Sequence, residues 1–359
     1  MLRRLLPSLL VHTCVALSAT ASSFSHFAGS IKSWQDEMIA RAKTADPSAS
    51  WTVDVHDRGR AVIVEDGDVW EKGCISVTLI EDGELTETRA AAISARTGSG
   101  IVAGSRYSAA ALSFVLHARS PLVPTLRGDV RVFSVGSQEW YGGGLDLTPS
   151  YVEEDDCKHF HGRLADLCST HGEADTYAWM KEACDDYFFL PCRGEHRGVG
   201  GVFFDDLTAD WAPAYCEALI GAALAADGPY LPIVERRRHA EFSEAQKQWQ
   251  LLRRGRYIEF NLLYDRGVKV SHAATPRTTS PHVALHCPHA HAHTAACHAN
   301  RAQFGLSPES VERVLVSSPP VVAFKYKVSA DQPSGSPEAE TLEVLRKPRE
   351  WVRVVEPVG

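Results

Sequence analysis

The chain lacks the short signatures that announce the commonest chemistries. Its nine cysteines, at 14, 74, 157, 168, 184, 192, 216, 287 and 297, form no CxxC pair. That excludes a zinc ribbon and a dithiol redox motif, and an odd number of scattered thiols is the usage of a reducing compartment, where cysteine serves as a small core residue. Neither glycine-rich stretch, Gly142–Gly144 or Gly198–Gly201, leads into Gly-Lys-Ser/Thr, so the phosphate-loop reading fails. Gly-x-Ser-x-Gly and His-Glu-x-x-His are absent too. Basic charge is in deficit: 37 Lys and Arg stand against 45 Asp and Glu, a net charge of -8. Nucleic acid is therefore not expected as a partner, and any anionic ligand must be held by a local arginine cluster. No stretch beyond the amino-terminal region approaches the roughly twenty apolar residues that cross a bilayer.

What is present is material for a substantial core. With 359 residues, 44% hydrophobic and 23% charged, the chain can form one large domain or two ordinary ones. Residues 1–35 hold no acid, carry Arg3, Arg4 and Lys32, and are rich in Ser, Ala and Leu. This is the composition of an organelle-import leader, mitochondrial or plastid. A secretory signal is the alternative, with Leu5 to Leu17 as its apolar run and Ala19-Thr20-Ala21 as its cleavage site.

Trp51–Val55, Ala61–Val64 and Cys74–Ile80 read as short strands, punctuated by turn signals at Asp66-Gly67-Asp68 and Asp82-Gly83. Arg131–Val135 reads as a further strand. If it begins early enough, its period of two puts Arg127, Asp129 and Arg131 on one face, an unusual load for a core. From Glu153 the period becomes helical, with Cys157, Phe160, Leu164, Leu167 and Cys168 as an apolar stripe behind four acids and Gly172 as the stop. Tyr177, Met180, Cys184, Tyr187 and Phe188 make a second stripe. Val202-Phe203-Phe204 reads as a buried strand, and Pro213–Ala226 as a helix. Ser243 to Gln246 is a capping box opening a helix expected to end at Gly255. Tyr257–Tyr264 and Val321–Val328 are then expected as strands. Between about 271 and 304, histidines from His272 to His298, with Cys287 and Cys297, lie among Ala, Thr and Pro without apolar periodicity. This reads as an inserted surface loop; capture of a transition metal or haem iron is the functional reading, and a low-complexity insertion without a chemical role is the favoured one.

The densest unusual stretch is Trp140-Tyr141-Gly142-Gly143-Gly144-Leu145-Asp146-Leu147-Thr148-Pro149, three consecutive glycines followed by a carboxylate. Removing side chains there would let backbone or a flat ligand approach closely. Together with Cys184 to Leu207 and Arg254 to Gly267, it closely resembles the oxygen-dependent coproporphyrinogen III oxidase family, over about Trp51 to Val355. The resemblance implies an α+β fold, a single domain with a large antiparallel sheet flanked by helices. It implies a homodimer in haem biosynthesis that converts two propionates of coproporphyrinogen III to vinyl groups, giving protoporphyrinogen IX. Molecular oxygen would be co-substrate, with no organic cofactor. A mitochondrial location, in the intermembrane space, follows as the leading expectation, with contact to a membrane through neighbouring enzymes of the pathway; cytoplasmic, plastid and secretory locations are the alternatives.

The same resemblance assigns residues. Asp146 matches the central carboxylate that accepts pyrrole N–H bonds, and Arg131 and Arg197 match arginines that clamp propionates, with Arg197 placed beside Asp146 in the catalytic group. Ser113, in Ser113-Phe114-Val115-Leu116-His117, matches a substrate-contacting serine, and Arg127, Asp129 and Val130 fall in the segment that lines the substrate. Here the chain departs from its family. Where the family reads Pro-Thr-x-His-x-Asn-x-Arg, this chain has Pro124-Thr125-Leu126-Arg127-Gly128-Asp129-Val130-Arg131, so a permanently charged arginine replaces the proton-donating histidine. A Gly-x-Arg-x-Glu-Ser loop becomes Pro308-Glu309-Ser310-Val311-Glu312-Arg313, with Arg313 one helical turn beyond Ser310. A four-histidine metal set assigned in bacterial members keeps only His117 and His161, since Arg127 and Cys192 take the other places; no metal is expected there. The alternative function is a catalytically impaired paralogue that binds porphyrinogen or the active subunit.

Overall fold

Alternation between small or polar and large apolar residues organises the molecule around one antiparallel sheet. The computed structural model describes residues 23–265, 315–324 and 332–352. The strands are β1 (Ser50–His56), β2 (Gly59–Glu65), β3 (Trp70–Glu84), β4 (Arg106–Ala118), β5 (Thr125–Val135), β6 (Gln138–Thr148) and, after a two-residue hairpin of β7 (Phe189–Leu190) and β8 (Glu195–His196), β9 (Gly201–Leu207). The main sheet runs β1-β2-β3-β4-β5-β6-β9, antiparallel throughout. The helices are α1 (Ser23–Ala45), α2 (Glu87–Thr97), α3 (Glu154–His171), α4 (Thr176–Tyr187), α5 (Ala212–Ala223), α6 (Leu231–Arg237), α7 (Glu244–Leu263) and α8 (Pro337–Arg346). The α+β expectation holds.

Register gives the sheet two unlike faces. Ile75, Phe114, Gly128 and Leu145 lie across from one another on β3 to β6, as do Val77, Leu112, Val130 and Gly143. This face carries the main core, closed by Phe27, Ile31 and Met38 of α1, Phe160 and Leu164 of α3, and Tyr215 and Leu219 of α5. The opposite face carries Cys74, Val115, Arg127 and Asp146 in one row and Ser76, Ser113, Asp129 and Gly144 in the next. Helix α7 covers part of this second face.

The amino-terminal expectation needs correcting at its downstream end. Residues 23–35 belong to α1, where Phe27, Ile31 and Trp34 are buried in the core, so a leader ending at 35 would strip the sheet of part of its apolar cover. Residues 1–22, including the Ala19-Thr20-Ala21 site, lie outside the described residues. The expected strand Tyr257–Tyr264 is also corrected: α7 runs from Glu244 to Leu263 without stopping at Gly255. Its capping box is present, Ser243 accepting from the Gln246 N–H while Gln246 accepts from the Ser243 N–H. Gly255 serves close packing, because a Cβ there would meet the Ala323 carbonyl oxygen at 2.8 Å. Residues 321–324 are not a strand but a segment lying on α7, with the Ala323 N–H donating to the Leu251 carbonyl at 3.0 Å; the rest of the expected strand is outside the described residues. Asp82-Gly83 is a bulge inside β3, with a register shift between Ile80 and Gly83 and Asp82 at φ 58°. The histidine-rich segment at about 271–304 lies outside the described residues.

Candidate active site

The charged triplet on β5 does share one face. Arg127 pairs across to Asp146 on β6, Asp129 to Gly144 and Arg131 to Gly142. Asp146 is 2% exposed, and a carboxylate so placed requires partners. Its Oδ2 accepts from Arg197 Nη2 at 2.5 Å, whereas its Oδ1 has no hydrogen-bond partner and lies 3.8 Å from Arg127 Nη1. Arg127 Nη1 is 3.2 Å from Asp129 Oδ1 but makes no well-aligned hydrogen bond, and Asp129 Oδ1 is likewise unsatisfied. Asp129 Oδ2 accepts from Arg131, whose other nitrogen reaches Asp205 Oδ1 at 3.2 Å. Three arginines thus face three aspartates. Burial opposes the charge on Arg127, but Asp129 and Asp146 outweigh it and hold its pKa above the ordinary arginine value; Asp129 and Asp205 do the same for Arg131. Arg127 is a fixed cation at any working pH.

Arg197, 1% exposed, does not present itself as a propionate clamp. Its guanidinium is enclosed by three rings, with its central carbon 3.9 Å from the centroid of Phe188, 4.6 Å from Tyr257 and 5.0 Å from Phe260. Its charge is spent on Asp146, which it orients. Arg131 is also committed to Asp129 and Asp205.

A cavity of about 320 Å³ opens on the same sheet face. Ser113 and Arg127 line it with Ser76, and α7 contributes Tyr257 and Asn261 from the opposite side, one helical turn apart. Residues 315–318 close another side, with the Ser317 carbonyl 3.1 Å from His117 Nε2. Asp146, Asp129, Arg131 and Arg197 are not in the lining. Arg127 joins the two zones, since it lines the cavity and approaches Asp146. Val130 is corrected: it points into the apolar core on the far face and is fully buried. The glycines are corrected as well. A Cβ on Gly142 would lie 2.7 Å from Arg131 Nε, one on Gly143 2.5 Å from the Asp129 carbonyl oxygen and one on Gly144 2.5 Å from that of Val202. They make room for a side chain of the protein and for close strand approach. Ser310 and Arg313 lie outside the described residues.

Sequence reading missed Tyr257 and Asn261, whose i, i+4 spacing would have shown them had the helix been carried past Gly255. It also missed Asp205, which follows Val202-Phe203-Phe204 and shares a parity with Phe203. Glu71 was missed too. Its carboxylate accepts from Arg254 Nη2 at 2.6 Å and Lys247 Nζ at 3.0 Å, fastening α7 over the polar face. Although burial opposes the Glu71 charge, Arg254 and Lys247 hold its pKa below the usual carboxylate value.

His117 and His161 are both buried and both used internally. His161 bonds Tyr177 at 2.9 Å through Nδ1 and the Val199 carbonyl at 3.1 Å through Nε2; His117 bonds Thr125 at 3.3 Å and Ser317. Burial pushes each down to about 3, so both rings are neutral near pH 7. Among the described residues no group of three or more His, Cys, Asp or Glu gathers as a metal site. Cys192 is exposed.

Sheet and site define an α+β protein with a buried acid, one of its oxygens unpartnered, beside a cavity bearing a cation. The coproporphyrinogen III oxidase family model matches residues 26–294. The chain is 36% identical over 336 residues to the human protein named oxygen-dependent coproporphyrinogen-III oxidase, mitochondrial, an alignment that covers 89% of this chain and 65% of the relative. It is 35% and 34% identical to proteins of the same name from Mus musculus and Rattus norvegicus, with 89% of this chain and 66% of each relative covered. This chain belongs to the coproporphyrinogen III oxidase family. It spans just under two thirds of the length of these relatives.

Proposed function

We propose that the chain catalyses oxidative decarboxylation of two propionates of coproporphyrinogen III to vinyl groups, giving protoporphyrinogen IX, with molecular oxygen as co-substrate and no other cofactor. The observation that carries this reading is the unpartnered Oδ1 of buried Asp146, an acceptor left open beside an arginine whose own N–H is unsatisfied. Buried unsatisfied groups are rare enough to need a reason, and a substrate with central pyrrole N–H groups and anionic propionates supplies partners for both. Asp146 accepts a pyrrole N–H and favours the electron-rich, deprotonated ring that oxygen attacks. Arg127 meets a propionate from the cavity wall, and Arg197 holds the carboxylate in place. Each reacting propionate loses carbon dioxide and a hydride equivalent as its vinyl forms. Two such losses release four electrons and two protons, which with two further protons reduce one oxygen molecule to two waters.

The protein acts in this proposal as a homodimer in mitochondria, in the intermembrane space, where it meets a membrane only through neighbouring enzymes of haem biosynthesis. A second reading is favoured by Arg127 itself. A fixed cation cannot give up and regain a proton as histidine does, and both buried histidines are engaged elsewhere, which suits a porphyrinogen-binding paralogue with impaired turnover. Anaerobically prepared protein mixed with coproporphyrinogen III, with and without oxygen, separates them. Protoporphyrinogen and carbon dioxide formed only with oxygen support the enzyme; tight anaerobic binding without turnover on admitting oxygen supports the paralogue.

A further inference from the structure

Asp146 is approached by two guanidiniums and bonded by one. Arg197 takes Oδ2, while Arg127 Nη1 stops 3.8 Å from Oδ1. A shift of about 1 Å would close that gap to hydrogen-bond length, and Asp146 is the direct cross-strand neighbour of Arg127 on the same face. What holds Arg127 back is Asp129, two residues along the same face, with Oδ1 at 3.2 Å. Asp129 can exert this pull because it is itself fixed: Arg131 occupies its Oδ2, and Asp205 holds Arg131 in turn at 3.2 Å. Asp129 is 6% exposed, so solvent does little to weaken the attraction.

We infer that Asp129 is a positioning residue that keeps Arg127 from capping Asp146, so that the Asp146 Oδ1 stays open as the acceptor for substrate. The inference rests on the reading of Asp146 proposed above. It treats arginine at 127 and aspartate at 129 as one unit: an arginine here is compatible with an open Asp146 only when an acid stands beside it. Neutralising Asp129 leaves a single amide oxygen for two arginines, and of the carboxylates that still attract Arg127, Asp146 and Asp265, it is Asp146 that lies directly across the strand with an open oxygen 3.8 Å away. Arg127 then moves onto Oδ1 and closes the acceptor.

The test is a double-mutant cycle of Asp129→Asn and Arg127→His in the full chain, with single-turnover decarboxylation in air and anaerobic coproporphyrinogen III affinity measured for each variant. Asp129→Asn alone should slow the chemical step on the order of tenfold or more while the dissociation constant changes less. Adding Arg127→His should recover most of the lost rate, because imidazole at 127 no longer competes for Asp146. A merely structural role for Asp129 would give additive losses with no recovery. Additive losses, or Asp129→Asn alone as fast as the parent, would overturn the inference. Asp129→Glu, which keeps the charge, is the folding control and should retain more activity than Asp129→Asn; the reverse order would also overturn it. Asp146→Asn in the same series separates the two layers. If that variant turns over at the parent rate, the reading of Asp146 has failed and this inference with it; if it is inactive while the cycle is additive, only the inference has failed.

Discussion

The two faces of the sheet are built on opposite terms. The face under α1 and α5 is lined by Ile75, Leu112, Phe114, Val130 and Leu145, all at most 3% exposed, and many apolar contacts share its stability. The face under α7 carries Arg127, Asp129, Arg131 and Asp146 and depends on a few directional ion pairs. Burial of apolar area is non-directional and tolerates imperfection, whereas a buried charge is costly unless its partner is correctly placed. The same period of two along β5 and β6 therefore yields redundancy on one side and, on the other, a site in which single atoms matter. Arg127 Nη1, Asp129 Oδ1 and Asp146 Oδ1, all buried without a hydrogen-bond partner, belong to the second face.

Breaking an ion pair that fastens the polar face should have the largest effect on stability. Glu71→Ala strands Arg254, which is 4% exposed, along with Lys247. The expected cost is about 3 kcal/mol in urea unfolding, with loss of activity as Tyr257 and Asn261 lose their support. A cost below about 1 kcal/mol would show that α7 is held by its apolar contacts instead. On the other face, Val130→Ala removes buried methyl groups one residue from Asp129. It should cost about 2 kcal/mol in the same assay and leave the single-turnover rate near that of the parent. A selective loss of rate there would restore Val130 to the substrate site.

The smallest expected effect is on pH dependence. His117 and His161 are held down to about 3, while the unfolded chain binds protons near 6.5. Their contribution is complete above that unfolded value and is lost as pH falls toward the folded one. Stability should drop as the pH goes from 7 to 5, and His161→Gln should flatten that decline by roughly 1 kcal/mol per pH unit below 6. An unchanged slope would mean that His161 is not what makes the fold acid-sensitive.

Much of this architecture could be read in the sequence, because period-two alternation and helix caps are local signals. The shared face of Arg127, Asp129 and Arg131 was legible for that reason, as were the strands β1 to β3 and the stripes of α3 and α4. Tyr257–Tyr264 was not, because α7 buries Arg253 and Arg254 together with Trp249, Tyr257 and Phe260. Cations on the buried face disguise a helical stripe, and the packing glycine at 255 imitates a stop. The resemblance pointed to Asp146 and Arg197, but that Arg197 is sealed under rings from α7 and the end of α4 depends on tertiary packing. So does the division of labour between Arg127, which reaches the cavity, and Arg131, which does not.

Asp146→Asn tests the central claim most directly. Arg197 demands an oxygen, so the amide should turn its oxygen to Arg197 and present N–H where the open Oδ1 had been, replacing an acceptor with a donor in an unchanged fold. The measurement is carbon dioxide released when oxygen is admitted to anaerobic complexes with coproporphyrinogen III, beside the anaerobic dissociation constant. The expected result is release slowed by about 10² to 10³ with the dissociation constant changed by less than about tenfold. Release at the parent rate from a folded variant would contradict the assignment of Asp146 as the acceptor on which the chemistry depends.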